Sequence, residues 1–558
     1  MASSNKPSSA YSSSKPKYFL LCLLFVSLPI LLLVLSLKPK LNSSNRIEIT
    51  DWFDLVRKEI NGRKMKVGLV NFERSISSSK YFRVLQETEI VTVNCNRVDE
   101  KLTWNDIYPE WIDENKKWIS PTCPEVPMPR LEDYRDLDVV FARIPCNENY
   151  GKGERGIRDV FSLQVNLVVG NLVVESGWVK PDVDRTVYVV FVGSCGPMVE
   201  IFRCDDLLMH QGEYWVYKPE LRRLKQKMLM PVGSCQLAPN YAETGREVWR
   251  KFMSKTTLRE HNYTTFSQRL AYATVLHSSE AYVCGAIALA HSIRQSKSTI
   301  DLLLLADDSI TNKSIRGLRA AGWKISRIER ILSPFAKKGT YNEWNYSKLN
   351  IWKLTDYDKV IFIDADFLVL KNIDQFFYYP QLSASPNDNT LFNSGLMVIE
   401  PSKCMFDELM EKRFSVKSYN GGDQGFLNEI FIWWHRLPSK LNFLKIFESN
   451  DKNIHHEIPE DVYTIHYLGV KPWFCYKDYD CNWDKFHTEF ASDSAYKRWW
   501  KVYEAMPKKL QSYCGLTKKM DSSIRKWIRG VARNACLSDG NCKKIEVKDP
   551  RQKHILYE

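Results

Sequence analysis

The chain has 558 residues, of which 44% are hydrophobic, 13% aromatic and 26% charged. That is enough apolar surface for more than one packed core and too much for a disordered chain. Lys and Arg (79) exceed Asp and Glu (66) for a net charge of +13, but the excess is spread thinly. Without a zinc-finger spacing, a recognition-helix pattern or an arginine tract, nucleic acid is excluded as the partner.

Residues 1–17 are rich in Ser, Lys and Pro and read as a disordered cytosolic tail. Residues 18–37 (YFLLCLLFVSLPILLLVLSL) carry no charge. A helix of that length spans a bilayer core of about 30 Å. A cleaved signal peptide is the competing reading, but its apolar part is usually about 7–15 residues and ends at a small-residue cleavage site. The expectation is a single uncleaved transmembrane helix, followed by a short stem over 38–63. Basic residues flank it on both sides, so orientation rests on the short head and the large body behind it.

Thirteen of the 14 cysteines follow that stretch, with N-x-S/T sequons at Asn42, Asn262, Asn312 and Asn345. Disulfides in a lumenal body account for the cysteines, and buried free thiols are the plainer alternative. Because thirteen is odd, at least one has no partner within the chain.

Residues 64–262 form an N-terminal α/β region. Strand-length apolar runs occupy 66–72 (KVGLVNF), 137–143 (LDVVFAR) and 186–193 (TVYVVFVG), and 159–176 is apolar at helical spacing. Cys146, Cys195, Cys204 and Cys235 are candidate disulfide partners. The run 151–156 (GKGERG) reads as a surface turn.

From 263 to 500 the pattern sharpens into alternating strands and helices. Strands are predicted over 273–277, 301–306 and 359–363 (KVIFI), and helices over 280–295, capped by Ser278 or Ser279, and 311–321. Such alternation implies an α/β fold with a mostly parallel central sheet flanked by helices. Ligands then sit beyond the carboxyl ends of the strands, here the loop after Ile363. Residues 501–558 read as a basic tail without a visible element.

That loop begins Asp364-Ala365-Asp366. Two carboxylates at alternate positions share one side of an extended segment and repel each other, and a cation resolves the repulsion. Oxygen ligands suit Mg or Mn, and an imidazole from His466, in IHYLGVKPW, tilts the choice to Mn2+. An isolated pair of this kind is more often a cap or turn, but the preceding apolar strand favours the metal. A divalent ion with one carboxylate pair suits a diphosphate. Lys348 and Lys471 are candidate sources of further positive charge, each a surface lysine otherwise. Asn393-Ser394-Gly395 lies between apolar runs, and Asn393 is suited to a sugar hydroxyl or to a turn. The run YNGGDQG holds Asn420 as a candidate substrate-binding residue, its glycines Gly421 and Gly422 permit close backbone approach to a ligand, and Asp423 and Gln424 fall in the first turn of the helix that follows.

Taken together, the runs ATVLHSSEAYVCGA, YSKLNIW, FIDADFLVL, LFNSGLMVIEP, NGGDQGFLNEIF and HYLGVKPW resemble glycosyltransferase family 8, the glycogenin-like enzymes of the GT-A fold. YPEWIDE, PVGSC, YNEWNYSK and CYKDYDCNW are similar to the plant glucuronosyltransferases that decorate xylan. The resemblance implies a GT-A nucleotide-diphospho-sugar transferase with an N-terminal α/β extension. It implies a Golgi type II enzyme that moves glucuronate from UDP-glucuronate to O2 of xylose units in xylan, with retention and with Mn2+. By the same resemblance Asp364, Asp366 and His466 are metal ligands, and Leu276, His277, Ser278 and Tyr282 hold the uridine. Lys348 matches a lysine needed for activity, Gly469 and Lys471 match diphosphate contacts, and Asn393, Asp423 and Gln424 surround the donor sugar. Two departures stand out: Asn420 replaces an Asp, and the segment 466–472 is one residue shorter than its counterpart. A different sugar donor or acceptor and a catalytically silent Golgi scaffold stay open, as does a homo- or hetero-oligomer in a Golgi complex.

Overall fold

The computed structural model describes residues 50–60, 64–72, 88–115, 123–146, 158–180, 183–238, 269–447, 456–477, 479–483, 485 and 487–539. The tail, the apolar stretch 18–37, the sequons Asn42 and Asn262 and the turn 151–156 lie outside the described residues.

The N-terminal unit is built from β1 (Lys66–Val70), β2 (Glu89–Thr92), β3 (Val139–Arg143), β4 (Tyr188–Val192), β5 (Leu207–Gln211) and β6 (Tyr214–Tyr217). Their order in one sheet is β2-β1-β3-β4-β6-β5. The first four run parallel, and β6 and β5 close the edge antiparallel. Buried on both faces, β3 and β4 are Val/Phe-rich as parallel strands should be. Helix α1 (Thr50–Glu59) packs Trp52, Phe53 and Val56 on one face. Helix α2 (Val160–Gly177) covers the other, with Asp159 as its N-cap, accepting from the Phe161 and Ser162 amides at 3.1 and 3.2 Å. Among the described residues α2 alone is long and apolar enough to cross a membrane, yet 78% of it is buried inside the protein, as in a core helix. Helix α3 (Leu221–Met228) packs against α2.

The second unit holds β7 (Leu270–Leu276), β8 (Asp301–Ala306), β9 (Lys324–Arg327), β10 (Lys359–Ile363), β11 (Phe367–Val369), β12 (Ser383–Pro386), β13 (Phe392–Ile399), β14 (His435–Arg436), β15 (Phe443–Leu444) and β16 (Thr464–His466). The main sheet runs β9-β8-β7-β10-β13-β12-β14, and β11-β16-β15 form a small sheet beside it. The expectation of parallel strands holds for β9, β8, β7 and β10, while β13 runs antiparallel to β10 and β12. Helices α4 (Val283–Gln295), α5 (Asn312–Ala320), α6 (Lys403–Lys412), α7 (Asp423–Ile430) and α8 (Asp493–Ala505) surround the sheet. Ser279 caps the short turn that leads into α4, accepting from the Ala281 amide at 3.4 Å.

Strand β10 is central and wholly buried, including Lys359 at its start. A buried ammonium needs partners. Lys359 finds the Tyr379 carbonyl at 2.9 Å and Glu400 at 3.3 Å, and Glu400 also meets Arg203 of the N-terminal unit at 2.6 Å. The two units share one hydrophobic core, which runs from Val140 and Val169 to Phe362, Trp433 and Trp434. A Cys204–Cys404 disulfide crosses between them.

Cys146, Cys195, Cys204 and Cys235 are all paired, in Cys146–Cys195, Cys204–Cys404 and Cys123–Cys235. Cys284–Cys514 and Cys475–Cys481 are two more bridges, and Cys95 is free. Of the remaining sequons, Asn312 is exposed at the start of α5, whereas Asn345 is half-buried and donates to Asn342 Oδ1 at 3.0 Å. The boundary drawn at 500 falls inside α8, and the tail is not without elements. Helix α9 (Lys518–Asp539) follows, and Leu510, Cys514 and Ile524 join the core. Its sparse apolar positions in a basic run hid it from a reading of periodicity.

Candidate active site

The carboxyl end of β10 delivers Asp364. The chain turns there because the Asp364 amide donates to the Gly395 carbonyl of β13 at 2.8 Å, and Phe367 then enters β11. Strand β16 pairs with β11 so that His466 stands opposite Phe367, beside Asp366. Two short strands far apart in sequence thereby bring the three predicted metal ligands together. One donor atom from each of Asp364, Asp366 and His466 lies within 4.8 Å of the others. Asp366 and His466 are buried, whereas the Asp364 side chain stays 32% exposed.

The ring of His466 is oriented by a chain that starts at the backbone. The Gly395 amide donates to Asn393 Oδ1 at 2.9 Å, which makes that atom an acceptor. Asn442 Nδ2 therefore donates to the same oxygen at 2.9 Å and turns its own Oδ1 to His466 Nδ1 at 3.1 Å. His466 thus carries its proton on Nδ1, and the Nε2 lone pair points toward Asp366, with Oδ1 at 3.5 Å. Burial holds the imidazole below its usual pKa against the pull of Asp366, so it is neutral and ready to ligate. Gly395 must lack a side chain, since a Cβ there would lie 2.9 Å from His466 Cε1 and 3.0 Å from Phe367. Two carboxylates and one neutral imidazole form a donor set suited to Mn2+ or a similar divalent ion.

Two buried lysines stand beside these acids. Lys471 Nζ lies 2.7 Å from Asp366 Oδ2 and also bonds the Tyr467 carbonyl. Lys348, from a run of 3-10 turns over Tyr341–Lys353, reaches Asp364 at 3.3 Å and Asp423 at 2.6 Å. It also donates to the carbonyl and hydroxyl of Ser394, both at 3.2 Å. Both are buried, against the surface reading that either lysine alone invited. Burial opposes the charge on Lys348, but Asp364 and Asp423 outweigh it and raise its pKa. Enclosure pushes the Asp364 carboxyl up to about 7, with Lys348 pulling it down and Asp366 and Asp423 adding to the rise. Asp366 is buried too, yet the Lys471 ammonium at 2.7 Å holds it well below the carboxylate range. The two acids of the pair are thus driven apart in acidity by their partners.

Asp423 opens α7, and its Oδ2 accepts from Lys348 and from Ser394 Oγ at 2.8 Å. Gln424 accepts from the Ser394 amide at 3.2 Å and donates to Tyr419 Oη at 3.0 Å. Asn420 is turned to loop-building: its Oδ1 accepts from the amides of Gly422 and Gly425 at 2.9 and 3.2 Å. Gly421 sits at φ 75° with the Phe335 carbonyl 3.1 Å from where a Cβ would be. Asn393 is likewise engaged within the protein, its Nδ2 donating to Asn387 Oδ1 at 3.2 Å.

The end of β7 supplies Leu276, His277 and Ser278. Ser278 has φ 68°, and its amide donates to Asp307 Oδ2 at 3.1 Å. His277 Nδ1 meets Ser278 Oγ at 2.8 Å, and burial lowers the His277 pKa. The Tyr282 ring lies edge-on to Trp473, with centroids 5.8 Å apart. Burial first, then Asp366 and Asp364, raise the Tyr282 pKa. Ala365 is buried, its carbonyl 2.4 Å from where a Gly285 Cβ would stand. Gly469 has φ 68°, and the next amide, Val470, donates to Asn482 Oδ1 at 2.8 Å. Asn442, Asp307, Tyr419 and Asn482 were missed in the sequence. Asn442, Asp307 and Asn482 reach site residues distant in the chain, and Tyr419 meets Gln424 five residues on; no local spacing announces these roles.

Family models match most of the described chain: the GUX1-5 N-terminal domain over residues 39–235 and glycosyl transferase family 8 over 273–382 and 380–476. Among named relatives in Arabidopsis thaliana, "Putative UDP-glucuronate:xylan alpha-glucuronosyltransferase 4" is 50% identical over 98% of this chain and 99% of its own. "UDP-glucuronate:xylan alpha-glucuronosyltransferase 2" is 49% identical over 88% of this chain and 81% of its own. The solved galactosyltransferase LgtC, with donor and acceptor sugar analogs, aligns over 44% of this chain and 99% of its own at 17% identity and a TM-score of 0.32, too slight a likeness to build on. Identity of this extent over two nearly whole chains makes the protein an enzyme of glycosyltransferase family 8 and a member of the UDP-glucuronate:xylan alpha-glucuronosyltransferases.

Proposed function

We propose that this enzyme transfers glucuronate from UDP-glucuronate to O2 of xylose units in xylan, with retention and with Mn2+, on a GT-A scaffold. The observation that carries the reading is the convergence of Asp364, Asp366 and His466 with Lys348, Lys471 and Asp423 at the end of β10. The names of its relatives support the donor and the acceptor. Five disulfides among the described residues favour an oxidising compartment, in keeping with a lumenal body behind a membrane anchor in the Golgi.

Asp364, Asp366 and His466 would hold the ion, which when bound supplies a Lewis acid for the leaving diphosphate. Lys348 and Lys471 bring two further positive charges to the same place, where they meet the oxygens of the diphosphate. Leu276, His277, Ser278 and Tyr282 would receive the uridine, and the backbone at Gly469 the phosphates. Asn420, Gly421 and Gly422 shape the loop that presents Asp423 and Gln424 to the sugar.

Retention follows most simply if the acceptor hydroxyl attacks from the side the diphosphate leaves, giving its proton to a departing phosphate oxygen. Asp423 is a poor nucleophile here, because Lys348 and Ser394 both bond its Oδ2. Its Oδ1 is left to balance positive charge growing on the ring. Gln424, held at both ends by Ser394 and Tyr419, positions the sugar.

The test is incubation of the protein with UDP-glucuronate, xylohexaose and Mn2+, followed by mass spectrometry and linkage analysis. A product bearing one glucuronate on O2 supports the reading. Transfer from a competing UDP-sugar in preference to UDP-glucuronate, or no turnover and no donor hydrolysis with Mn2+ present, overturns it. A glycosyl adduct trapped on Asp423 would overturn the same-side route alone.

A further inference from the structure

The transferase reading leaves the N-terminal unit without chemistry, yet its sheet has the architecture of a binding site. The chain goes from β1 to β2 on one side, then crosses to β3 and β4 on the other. The winding therefore reverses between β1 and β3. Ligands in such sheets sit beyond the carboxyl ends of the strands at that reversal. A cavity of about 1120 Å³ lies there, lined by the ends of all four parallel strands and the start of α2. Pockets for small ligands usually measure about 300–1,000 Å³.

The cavity is held in shape by polar contacts. Asn71 follows β1 at φ 60° and donates from Nδ2 to the Arg143 carbonyl at 2.8 Å, tying the two strands on either side of the reversal. Left-handed residues other than glycine are uncommon and gather at ligand sites. Gln164, buried on α2, accepts from the Val98 amide at 2.8 Å and donates to the Asn96 and Pro127 carbonyls at 2.9 and 2.8 Å, fixing the opposite wall.

The charge of the lining is one-sided. Among the described lining residues Arg97, Arg130 and Arg143 stand against a single carboxylate, Glu213. Arg97 and Arg130 meet acids only at 3.8 Å, and both are largely exposed. Among the described residues Arg143 has no ion-pair partner. The Arg97 guanidinium lies over the Phe161 ring at 4.2 Å, a flat platform of the kind on which rings stack. Guanidinium groups favour carboxylate and phosphate through paired hydrogen bonds.

From this we infer that the N-terminal unit holds a second binding site, for a sugar that carries a carboxylate or a phosphate. None of the donor-pocket side chains lines it. The choice of acidic sugars as probes rests on the proposed function, whereas the preference for an anion rests on the arginines alone. Two sources share the chemistry: the nucleotide-sugar donor and an acidic oligosaccharide such as glucuronate-bearing xylotetraose.

The test is calorimetry on the full-length protein in detergent with UDP-glucuronate, glucuronate-bearing xylotetraose and inorganic phosphate as separate titrants. For one of the two sugars, the expected result is a binding event that Arg143→Ala weakens about 10- to 100-fold and that Asp364→Asn leaves in place. Which sugar gives it names the source. Only the Arg143 carbonyl holds Asn71, so the substitution keeps the floor intact, and an unchanged melting temperature checks this. Absence of such an event for both sugars overturns the inference. So does binding that Arg143→Ala leaves unaltered, or phosphate binding as tight as that of either sugar. Because binding is read without turnover, failure of glucuronate transfer would sink the proposed function and leave this site standing.

Discussion

Lys348 Nζ lies 2.6 Å from Asp423 and 3.3 Å from Asp364, so one buried ammonium joins the first acid of the metal pair to the first residue of α7. Lys348→Met removes the charge and leaves both carboxylates facing each other. Loss of one preorganised cationic donor should lower kcat by about 10²- to 10³-fold. The variant should also melt earlier without metal, and Mn2+ should restore more of its melting temperature than it adds to the wild type. A variant that retains wild-type kcat would remove Lys348 from the reaction.

Asn442→Ala tests the chain of bonds that turns His466. With Oδ1 gone, the ring is free to change tautomer and to rotate. Mn2+ affinity should fall about 10- to 100-fold. Titration followed by electron paramagnetic resonance reads it directly, and KM for acceptor should not move. Unchanged Mn2+ affinity would mean that Asn442 is merely packed there.

Gly395→Ala places a methyl 2.8 Å from Asn393 Oδ1 and 2.9 Å from His466 Cε1. Neither neighbour can yield without breaking the same chain of bonds. Metal binding should suffer as in Asn442→Ala, with a loss of stability of about 1–3 kcal/mol from overpacking. Equilibrium unfolding with and without Mn2+ separates the two effects.

Metal affinity should depend on pH in a stated direction. Asp364, raised to about 7, must lose its proton to bind a cation. Mn2+ affinity should therefore rise as pH climbs through about 7 and flatten above it. Chelation should abolish transfer, and Mn2+ should restore it. A flat affinity profile from pH 6 to pH 8 (an interval set on either side of about 7) would contradict the role given to Asp364.

Glu400 adds to the acid sensitivity of the fold. Burial by itself would raise its pKa, but Lys359 and Arg203 lead the cations that hold it at about 2, below its ordinary 4.5. A carboxyl depressed in this way adds stability above about 4.5 that is lost as pH falls toward about 2, a difference on the order of 3 kcal/mol. Glu400→Gln should flatten that acid transition. It should also cost about 3–5 kcal/mol at neutral pH, since buried Lys359 loses its carboxylate partner and Arg203 keeps only Asp205. Chemical denaturation at several pH values measures both.

The parts of the site that could be read in advance share one property: each is a local pattern. Lys359–Ile363 followed by Asp364 and Asp366 reads as a buried strand ending in two acids, and both acids sit there. His466 was visible because its strand and the KP step after it are short and distinctive. Asn442 was not, because a single Asn between a turn and a two-residue strand looks like any loop residue. The same reasoning covers Asp307 and Asn482. Asn393 was read as suited to a sugar hydroxyl or a turn, yet its side chain is taken up by a backbone amide and neighbouring Asn residues, and Asn420 is likewise spent on backbone amides, a competition that local spacing does not reveal. The antiparallel course of β13 also escaped, since a strand buried on both faces looks alike in either direction.

The Cys204–Cys404 bridge and the interior common to both units have a practical consequence for genetics. Neither half is a detachable module, so missense alleles scattered through the front half, away from its cavity, should reduce how much enzyme accumulates in the cell while each surviving molecule works at its normal rate. Allele surveys that score only activity would mistake such lesions for catalytic ones, and immunoblots run beside them would tell the two apart.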